Sequence, residues 1–255
     1  MIANYHTHTP RCRHANGTEE EYVRAAIDGG LQILGFSDHT PFWFPEGYYT
    51  HMRMYPDQLG EYCDSVRRVQ SAYTDKIKIH LGLEVEYYPA FFNDLLPRLR
   101  DQGIEYMLLG QHWVGNEMGE PYSGYATESK EHLLRYCDQV IEAMETGLFT
   151  YLAHPDLMNY VGDEKTYDLQ MRRICKTAKQ CAMPLEINLW GMHCKKHYPN
   201  DRFWRLAAEE GNDVVIGCDA HEAWSVHYPE KETLALEIVK KYDLNLLETV
   251  ELRKL

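Results

Sequence analysis

The chain has 255 residues, of which 44% are hydrophobic and 25% charged, and this composition is that of an ordinary soluble globular protein. Its formal net charge of −13 disfavours binding to nucleic acid, because no cluster of lysine and arginine offsets it. The sequence contains no apolar run long enough to span a membrane and no signal peptide at its start. Its seven cysteines are scattered and odd in number, which favours reduced thiols. We therefore expect a cytoplasmic protein.

Strand-like and helix-like segments alternate along the chain. Short apolar runs predict buried strands, and apolar residues at helical spacing predict amphipathic helices. A capping box at Thr18–Glu21 begins the first helix, and Gly29-Gly30 ends it. The predicted strands are 4–7, 33–37, 78–85, 106–111, 150–153, 184–189 and 213–217. The predicted helices are 18–28, 57–73, 90–102, 129–146, 167–181, 201–210 and 230–241, with an aromatic, proline-rich loop at 41–56 and a polar loop at 115–124.

This alternation predicts an α/β fold of seven β/α units around a parallel sheet, either open or closed into a barrel. No linker or internal repeat separates the units. We therefore expect a single domain over residues 1–255. In such folds the active site forms at the carboxyl ends of the strands.

Ligand-type side chains follow almost every predicted strand. His6 and His8 project the same way from the first strand because side chains alternate between its two faces. The sixth strand instead ends in Asn188, which is a candidate to hydrogen-bond the site or a substrate. A single buried histidine is usually structural, but so many at one edge of a sheet indicate metal binding. Imidazole with carboxylate suits zinc, manganese or iron, and nine ligands imply at least two ions. The nine are His6, His8, His14, His39, Glu84, His112, His154, Asp219 and His221.

The motifs that hold these residues resemble those of the PHP (polymerase and histidinol phosphatase) superfamily. They are His6-x-His8, His14, Ser37-Asp38-His39, Gly82-Leu83-Glu84, Gly110-Gln111-His112, Ala153-His154-Pro155 and Asp219-x-His221. The resemblance runs along the whole chain and implies a distorted TIM-like (β/α)7 barrel with three divalent metal ions (zinc, iron or manganese) at the carboxyl ends of its strands. By position it assigns His6, His8, Glu84 and Asp219 to one ion, Glu84, His112 and His154 to a second, and His14, His39 and His221 to the third.

Three further acids lie near these motifs. Glu86 competes with Glu84 for the bridging position, because both side chains project from the same face of their strand. The family's Gly-x-Glu pattern favours Glu84. Asp38 and Asp156 are expected to support the ligands or to accept hydrogen bonds in turns.

Within the superfamily, the stretch from Asp38 to Glu86 is similar to histidinol phosphate phosphatases. The similarity implies a metal-dependent phosphomonoesterase that hydrolyses a small phosphorylated substrate, L-histidinol phosphate, in histidine biosynthesis, with a metal-bridging hydroxide as nucleophile. For such a reaction we expect Glu84, Asp219 and His221 to be the catalytic residues, with Asp219 or His221 protonating the leaving alkoxide if it is not fully committed to metal. One alternative is a PHP hydrolase acting on another phosphomonoester, a phosphodiester or a phosphotyrosyl protein. The other is a barrel that binds metal without catalysis, which the intact ligand set disfavours.

The chain departs from those phosphatases in the loops after strands five and six, where they usually have phosphate-binding arginines. Neither loop contains an arginine here, although His193, Lys195 and Lys196 offer point charges. Arg11 and Arg13 either neutralise the phosphate or are solvated loop charges. The predicted substrate-binding residues are Arg11, Arg13, Asn188, His193 and Lys195. Aromatic residues of the 41–56 loop either wall the substrate or pack as a lid on the barrel.

Overall fold

The computed structural model describes residues 1–255, and its helices and strands largely follow the predicted alternation. The strands are β1 (Ala3–Asn4), β2 (Ile33–Phe36), β3 (Lys78–Val85), β4 (Tyr106–Leu109), β5 (Leu185–Asn188), β6 (Asp213–Gly217) and β7 (Asn245–Leu246). The helices are α1 (Glu19–Asp28), α2 (Leu59–Ala72), α3 (Pro89–Asp101), α4 (Lys130–Glu145), α5 (Glu164–Gln180), α6 (Leu189–His193), α7 (Asp201–Glu209) and α8 (Pro229–Tyr242). None of them combines the length and the apolar character needed to cross a membrane.

The strands form a curled parallel sheet. Two parallel sheets have the orders β1-β2-β3-β4 and β5-β6-β7. Leu152 joins them, because its backbone pairs with Leu109 of β4 on one side and with Leu185 of β5 on the other. At the far edge, Thr7 after β1 pairs with Ala220 after β6. These two bridges curl the sheet into the distorted barrel that the sequence predicts.

Three predictions of regular structure need correction. The predicted strand 150–153 is reduced to two bridges at Leu152, and the backbone turns to a positive φ of 30° two residues later, at His154. The seventh strand is instead β7, which pairs with the start of β6. Its apolar run is too short to be recognised as a strand in the sequence. The loop expected after β5 begins with helix α6, whose first turn is capped by Asn188 through a 2.8 Å hydrogen bond to the Gly191 amide.

The interior of the barrel is filled by side chains. Seven buried residues line it, and three partly buried residues of the C-terminal segment close its amino-terminal end. The Tyr106 side chain occupies the space that two glycines leave, since a Cβ on Gly35 would lie 2.2 Å from its hydroxyl and a Cβ on Gly82 2.2 Å from its ring. The barrel interior is therefore a packed core and not a channel. The lining residues are Ala3, Tyr5, Tyr106, Leu108, Tyr151, Ala153 and Val215, and the closing residues are Leu247, Val250 and Leu252.

The seven cysteines all have free thiols, as predicted. Four of them belong to the main hydrophobic cluster between the helices and the sheet, and a fifth, Cys181, packs against it. Burial raises the pKa of the Cys137 thiol, and of the Cys175 thiol, above the ordinary value. Both thiols therefore act as small apolar side chains.

Candidate metal centre and active site

The nine predicted metal ligands converge at the carboxyl end of the barrel. Eight of them are buried, and His14 is exposed. The contacts between their imidazole nitrogens and carboxylate oxygens span 2.8 to 3.8 Å. Donors around one tetrahedral zinc ion, with bonds of about 2.0–2.1 Å, lie about 3.3 Å apart. The observed separations bracket this value, so these atoms are spaced as ligands of shared metal ions would be.

Glu84 lies at the centre of this cluster. Its Oε1 is 2.8 Å from Nε2 of His154 and 3.8 Å from Nε2 of His112, and its Oε2 is 2.9 Å from Nδ1 of His39. Burial by itself would raise the pKa of this carboxyl, but the imidazoles of His39 and His112 hold it well below its ordinary range. A Cβ on Gly110 would lie 1.9 Å from Oε1. The glycine of the Gly-Gln-His motif thus leaves the space that the carboxylate occupies.

A second group joins the ends of β1 and β6. His8 Nε2 is 2.9 Å and His6 Nε2 is 3.5 Å from Oδ1 of Asp219. The same two nitrogens each lie 3.6 Å from Oε2 of Glu84. The three side chains of His6, His8 and Asp219 have ligand atoms within 4.8 Å of one another and can hold a metal ion.

A third group brings together His14, His39 and His221, whose ligand atoms also lie within 4.8 Å of one another. His221 is buried, and burial together with the neighbouring His8 lowers the pKa of His221 to about 3. The ring is therefore neutral at physiological pH, and a neutral imidazole is the form that binds a metal.

Four of the histidines share one orientation. Each donates Nδ1–H to a carboxylate or carbonyl oxygen that is not a predicted ligand atom, which leaves the lone pair of Nε2 facing inward. The pairs are His6 with Glu186 Oε1 (2.8 Å), His14 with the Cys12 carbonyl (2.8 Å), His112 with Glu86 Oε1 (2.9 Å) and His221 with the Asp219 carbonyl (2.8 Å).

Several of the inward-facing atoms lack hydrogen-bond partners. They include Nε2 of His6, His8 and His221, Nδ1 of His39 and Oε2 of Glu84. Buried polar atoms without partners are costly in a native protein unless a ligand satisfies them. Imidazole and carboxylate donors together suit a borderline-soft divalent cation. The residues of the site therefore fit divalent metal ions.

Glu86 does not occupy the bridging position. Its carboxylate accepts two 2.8 Å hydrogen bonds from Arg53 and one of 2.9 Å from Nδ1 of His112. Burial raises the pKa of this carboxyl, but Arg53 outweighs burial and lowers it to about 2. Glu86 therefore orients His112, while Glu84 faces the inward nitrogens.

Glu186 is a functional residue that sequence reasoning missed. This buried carboxylate of β5 accepts hydrogen bonds from His6 Nδ1 (2.8 Å), the His154 amide (3.0 Å) and Asn188 Nδ2 (2.9 Å). A Cβ on Gly217 would lie 1.8 Å from its Oε1. The available signal was a charged residue between the apolar residues of a buried parallel strand.

A cavity of about 230 Å³ lies beside the cluster. Its walls outside the ligands are aromatic, apart from one methionine and one lysine. These residues are Met52, Trp113, Tyr122, Trp190, Lys196 and Tyr198, and the six ligands in the lining are His14, His39, Glu84, His112, Asp219 and His221.

The two predicted arginines lie outside this lining. Arg11 forms ion pairs with Glu19 (2.6 Å) and Glu61 (2.7 Å) of α1 and α2. Arg13 lies over the ring of Tyr55, 3.7 Å from its centroid. Both cations are already paired, so the structure does not bring them to the site.

The other predicted substrate-binding residues take different positions. Asn188 donates to Oδ2 of Asp219 (3.1 Å) and so positions this predicted ligand. His193 contacts the Tyr228 hydroxyl (3.0 Å) and lies outside the lining. Lys195 is exposed and also outside, whereas the next residue, Lys196, lines the cavity. The backbone has a φ of 52° at Lys195, and this turn sets which lysine reaches the site.

The aromatic loop packs mainly on the barrel and not on the cavity. The rings of Phe42 and Tyr88 lie 4.8 Å apart, and those of Phe44 and Phe91 lie 5.3 Å apart. Met52 is the one residue of this loop in the lining. The loop is therefore packed against α3 and the residue that precedes it, Tyr88, and it covers the barrel more than it walls the cavity.

The sequence and the fold both match known proteins. The PHP domain family model matches residues 4–189. A relative from Deinococcus radiodurans, named "Probable histidinol-phosphatase", is 30% identical over 234 residues, which cover 89% of this chain and 89% of the relative. The chain therefore belongs to the PHP domain family.

Two solved structures share the fold. Histidinol phosphate phosphatase from Lactococcus lactis, in complex with zinc, L-histidinol and phosphate, aligns with a TM-score of 0.73 at 20% identity, covering 98% of this chain and 97% of that one. A chain from the crystal structures of metal-dependent tyrosine phosphatases of Bacillus subtilis and Streptococcus pneumoniae aligns with a TM-score of 0.51 at 13% identity. The alignment covers 100% of this chain and 99% of that one. Taken with the D. radiodurans relative, the site identifies the chain as a metal-dependent phosphomonoesterase.

Proposed function

We propose that the chain hydrolyses L-histidinol phosphate to L-histidinol and phosphate, in histidine biosynthesis. The observation that carries the proposal is the small cavity in which aromatic rings and one lysine adjoin a cluster of metal ligands. The 30% identity with a relative named for histidinol phosphate, over most of both chains, supports this substrate class. The site as a whole suits a small phosphate ester with a flat organic group.

The proposed site holds three divalent ions. His6, His8 and Asp219 would hold one with Glu84. Glu84 would also serve a second ion with His112 and His154, and the third would take His14, His39 and His221. Bound cations would supply Lewis acidity, which lowers the pKa of an attacking water and offsets charge on the phosphoryl oxygens. Support comes from the donor groups within 4.8 Å and from the orphaned nitrogens that face them.

Lys196 is the proposed phosphate-binding residue. It is the one lysine or arginine in the lining of the cavity. Its ammonium would pair with a phosphate oxygen as a point charge, in place of the arginine fork of related phosphatases. Arg11 and Arg13 lie outside the lining and already make an ion pair and a ring contact, which supports Lys196 over them.

The organic part of the substrate would lie against the aromatic walls. The rings of Trp113 and Tyr122 meet edge to face, 5.5 Å apart, and Trp190 stacks on His221 with centroids 5.0 Å apart. An imidazole can stack on such rings, and the amine of histidinol can lie over their faces as a cation. These walls favour L-histidinol phosphate over an aliphatic phosphate ester.

Asp219 is the proposed acid–base group. Burial would raise the pKa of Asp219, but His6 and His221 hold it well below its ordinary range, so it is ionised. Its carboxylate would accept the proton of the attacking water and return it to the leaving oxygen. His221 is neutral and remains a ligand, while Asn188 fixes Oδ2 of the aspartate.

A substrate panel tests the proposal. Phosphate release is measured from L-histidinol phosphate, phosphotyrosine, glycerol phosphate and nucleoside monophosphates at equal metal loading. We expect kcat/KM for L-histidinol phosphate to exceed the others by about 10- to 100-fold, as a built polar and aromatic pocket allows. A higher value for phosphotyrosine would transfer the assignment to the tyrosine phosphatases whose fold the chain shares.

Adjacent lysines provide a matched test of phosphate binding. Lys196→Met is expected to raise KM about 10- to 100-fold, the effect of losing one charge-assisted hydrogen bond. Lys195→Met removes the same charge one residue away and is expected to leave KM unchanged. Equal effects of the two substitutions would contradict the assignment of Lys196.

We further propose that residues 1–255 form a single PHP-type domain. The family match ends at residue 189, yet Asp219 and His221 beyond it contact the first histidines of the chain. A cytoplasmic location also belongs to this proposal, supported by the seven free thiols. Limited proteolysis should yield one stable fragment close to full length.

A further inference from the structure

A fully buried arginine lies next to the metal ligands but is not one of them. Arg53 is 0% exposed and belongs to the aromatic loop 41–56. Its Nη1 donates to Oε2 and its Nη2 to Oε1 of Glu86, both at 2.8 Å, in the planar fork that a guanidinium forms with a carboxylate. A buried cation is retained only where its partners satisfy it.

The same guanidinium also reaches the polar loop. Its Nε donates to Oε2 of Glu117 (2.8 Å), and Nη2 donates to the same oxygen (2.5 Å). Tyr48 of the aromatic loop adds a 3.2 Å hydrogen bond to Oε1 of Glu117. Nη1 also donates to the Thr40 carbonyl (2.9 Å). One side chain thus joins two loops that are about sixty residues apart along the chain.

Both loops contribute to the catalytic cavity. The aromatic loop supplies Met52, the neighbour of Arg53, and the polar loop and its approach supply Trp113 and Tyr122. Through Glu86 the network also touches Nδ1 of the proposed ligand His112. The position of the cavity wall and the orientation of one ligand therefore depend on the same arginine.

We propose that Arg53 is a positioning residue that fixes the Met52 and Tyr122 walls of the cavity relative to His112 and so sets the fit of the substrate's organic group. The inference rests on the proposed function only for the identity of that group. Lysine cannot replace arginine here, because a single ammonium cannot serve two carboxylates in a fixed planar fork.

Two substitutions separate the two connections. Glu117→Gln removes charge from the link between the loops and leaves Glu86 on His112, so we expect KM to rise about tenfold with unchanged kcat and metal affinity. Arg53→Lys disturbs both links, so we expect KM to rise and metal affinity to fall by about 10- to 100-fold each. The Arg53→Lys/Glu117→Gln double variant should lose less than the sum of the single losses.

Arg98 provides the control. Its guanidinium lies 4.3 Å from the ring centroid of Trp43 in the same aromatic loop, but it is exposed and outside the cavity. Arg98→Gln is expected to leave KM, kcat and metal affinity as in the wild type. Arg98→Gln should also leave the protease resistance of the two loops as in the wild type. Glu117→Gln and Arg53→Lys should both speed proteolytic cleavage within these loops.

The readouts keep this inference separate from the substrate assignment. If L-histidinol phosphate is not hydrolysed, the KM comparison uses the best ester of the panel, and metal titration and proteolysis need no substrate. Wild-type KM and protease resistance in Glu117→Gln would overturn the inference. A lowered Tm in Arg53→Lys with unchanged KM and metal affinity would also overturn it, and if that variant does not fold, Glu117→Gln decides.

Discussion

Replacing Glu186 by glutamine should weaken metal binding without removing any predicted ligand. Both oxygens of this carboxylate act as acceptors: Oε1 faces His6 Nδ1 at 2.8 Å, and Oε2 faces the His154 amide at 3.0 Å and Asn188 Nδ2 at 2.9 Å. An amide group has only one acceptor oxygen. In either orientation, the NH2 group of the substituted side chain therefore points at a donor and not at an acceptor.

The size of the effect follows from the hydrogen bond to His6. Hydrogen bonds to a charged group are each worth about 1.5–3 kcal/mol. Loss of a carboxylate that orients a metal-binding histidine typically weakens metal binding about 10- to 100-fold, which corresponds to about 1.4–2.8 kcal/mol. The two estimates agree, so we expect a rise of that size in the dissociation constant, with kcat/KM reduced in parallel at limiting metal.

The measurement is a titration of metal-free protein with zinc or manganese in competition with a chelating dye. The control is Glu105→Gln, because Glu105 makes a similar contact, 2.6 Å from Nδ1 of His80, on the side of the barrel away from the ligands. That substitution should lower stability without changing metal affinity. Unchanged affinity in Glu186→Gln, or an equal loss in both variants, would refute the reasoning.

Three further predictions concern the centre and its surroundings. Gly110→Ala places a Cβ 1.9 Å from Oε1 of Glu84, so kcat/KM should fall about 100-fold. In Gly60→Ala, on α2, the added Cβ would have no atom within 4 Å, so kcat/KM should not change. Steady-state kinetics compares the two variants. Burial raises the pKa of Asp156 to about 7, so the contribution of this residue to stability is complete below about pH 4 and is lost as the pH rises through 7. Asp156→Asn should remove up to about 4 kcal/mol of this pH dependence of the free energy of unfolding. Urea unfolding at several pH values measures it. Chelation of metal should lower Tm by about 5–10 °C, because metal at 100 times its Kd stabilises the folded protein by about 2.7 kcal/mol. Scanning calorimetry measures this change and would show none if the cluster binds no ion.

An equal loss in the Gly60→Ala variant would attribute the effect to glycine replacement in general. A pH profile of Asp156→Asn that parallels the wild type would assign the pH dependence to other groups. For chelation, restoring zinc should restore Tm, which separates metal loss from an effect of the chelator.

Much of the site was predictable because its ligands follow local patterns. His6 and His8 are two residues apart at a strand end, so they must share a face. Most of the other ligands likewise follow the ends of predicted strands, and parallel strands bring their carboxyl ends to one edge. The start of α1 was equally local, since Thr18 and Glu21 exchange the hydrogen bonds of a capping box. In these cases the residues that decide the outcome are neighbours in the chain.

Tertiary structure decided the features that depend on distant partners. Arg11 pairs with Glu61, fifty residues away, and so does not reach the site. Glu186 orients His6, 180 residues away, because Nδ1 of that histidine donates a hydrogen bond to it. Whether Lys195 or Lys196 reaches the cavity depends on one left-handed residue after α6. Sequence determined which donors exist and at which edge of the sheet they gather. Only packing across the barrel, where each charged group takes the nearest compensating partner, determined which of them are free to meet a metal or a phosphate.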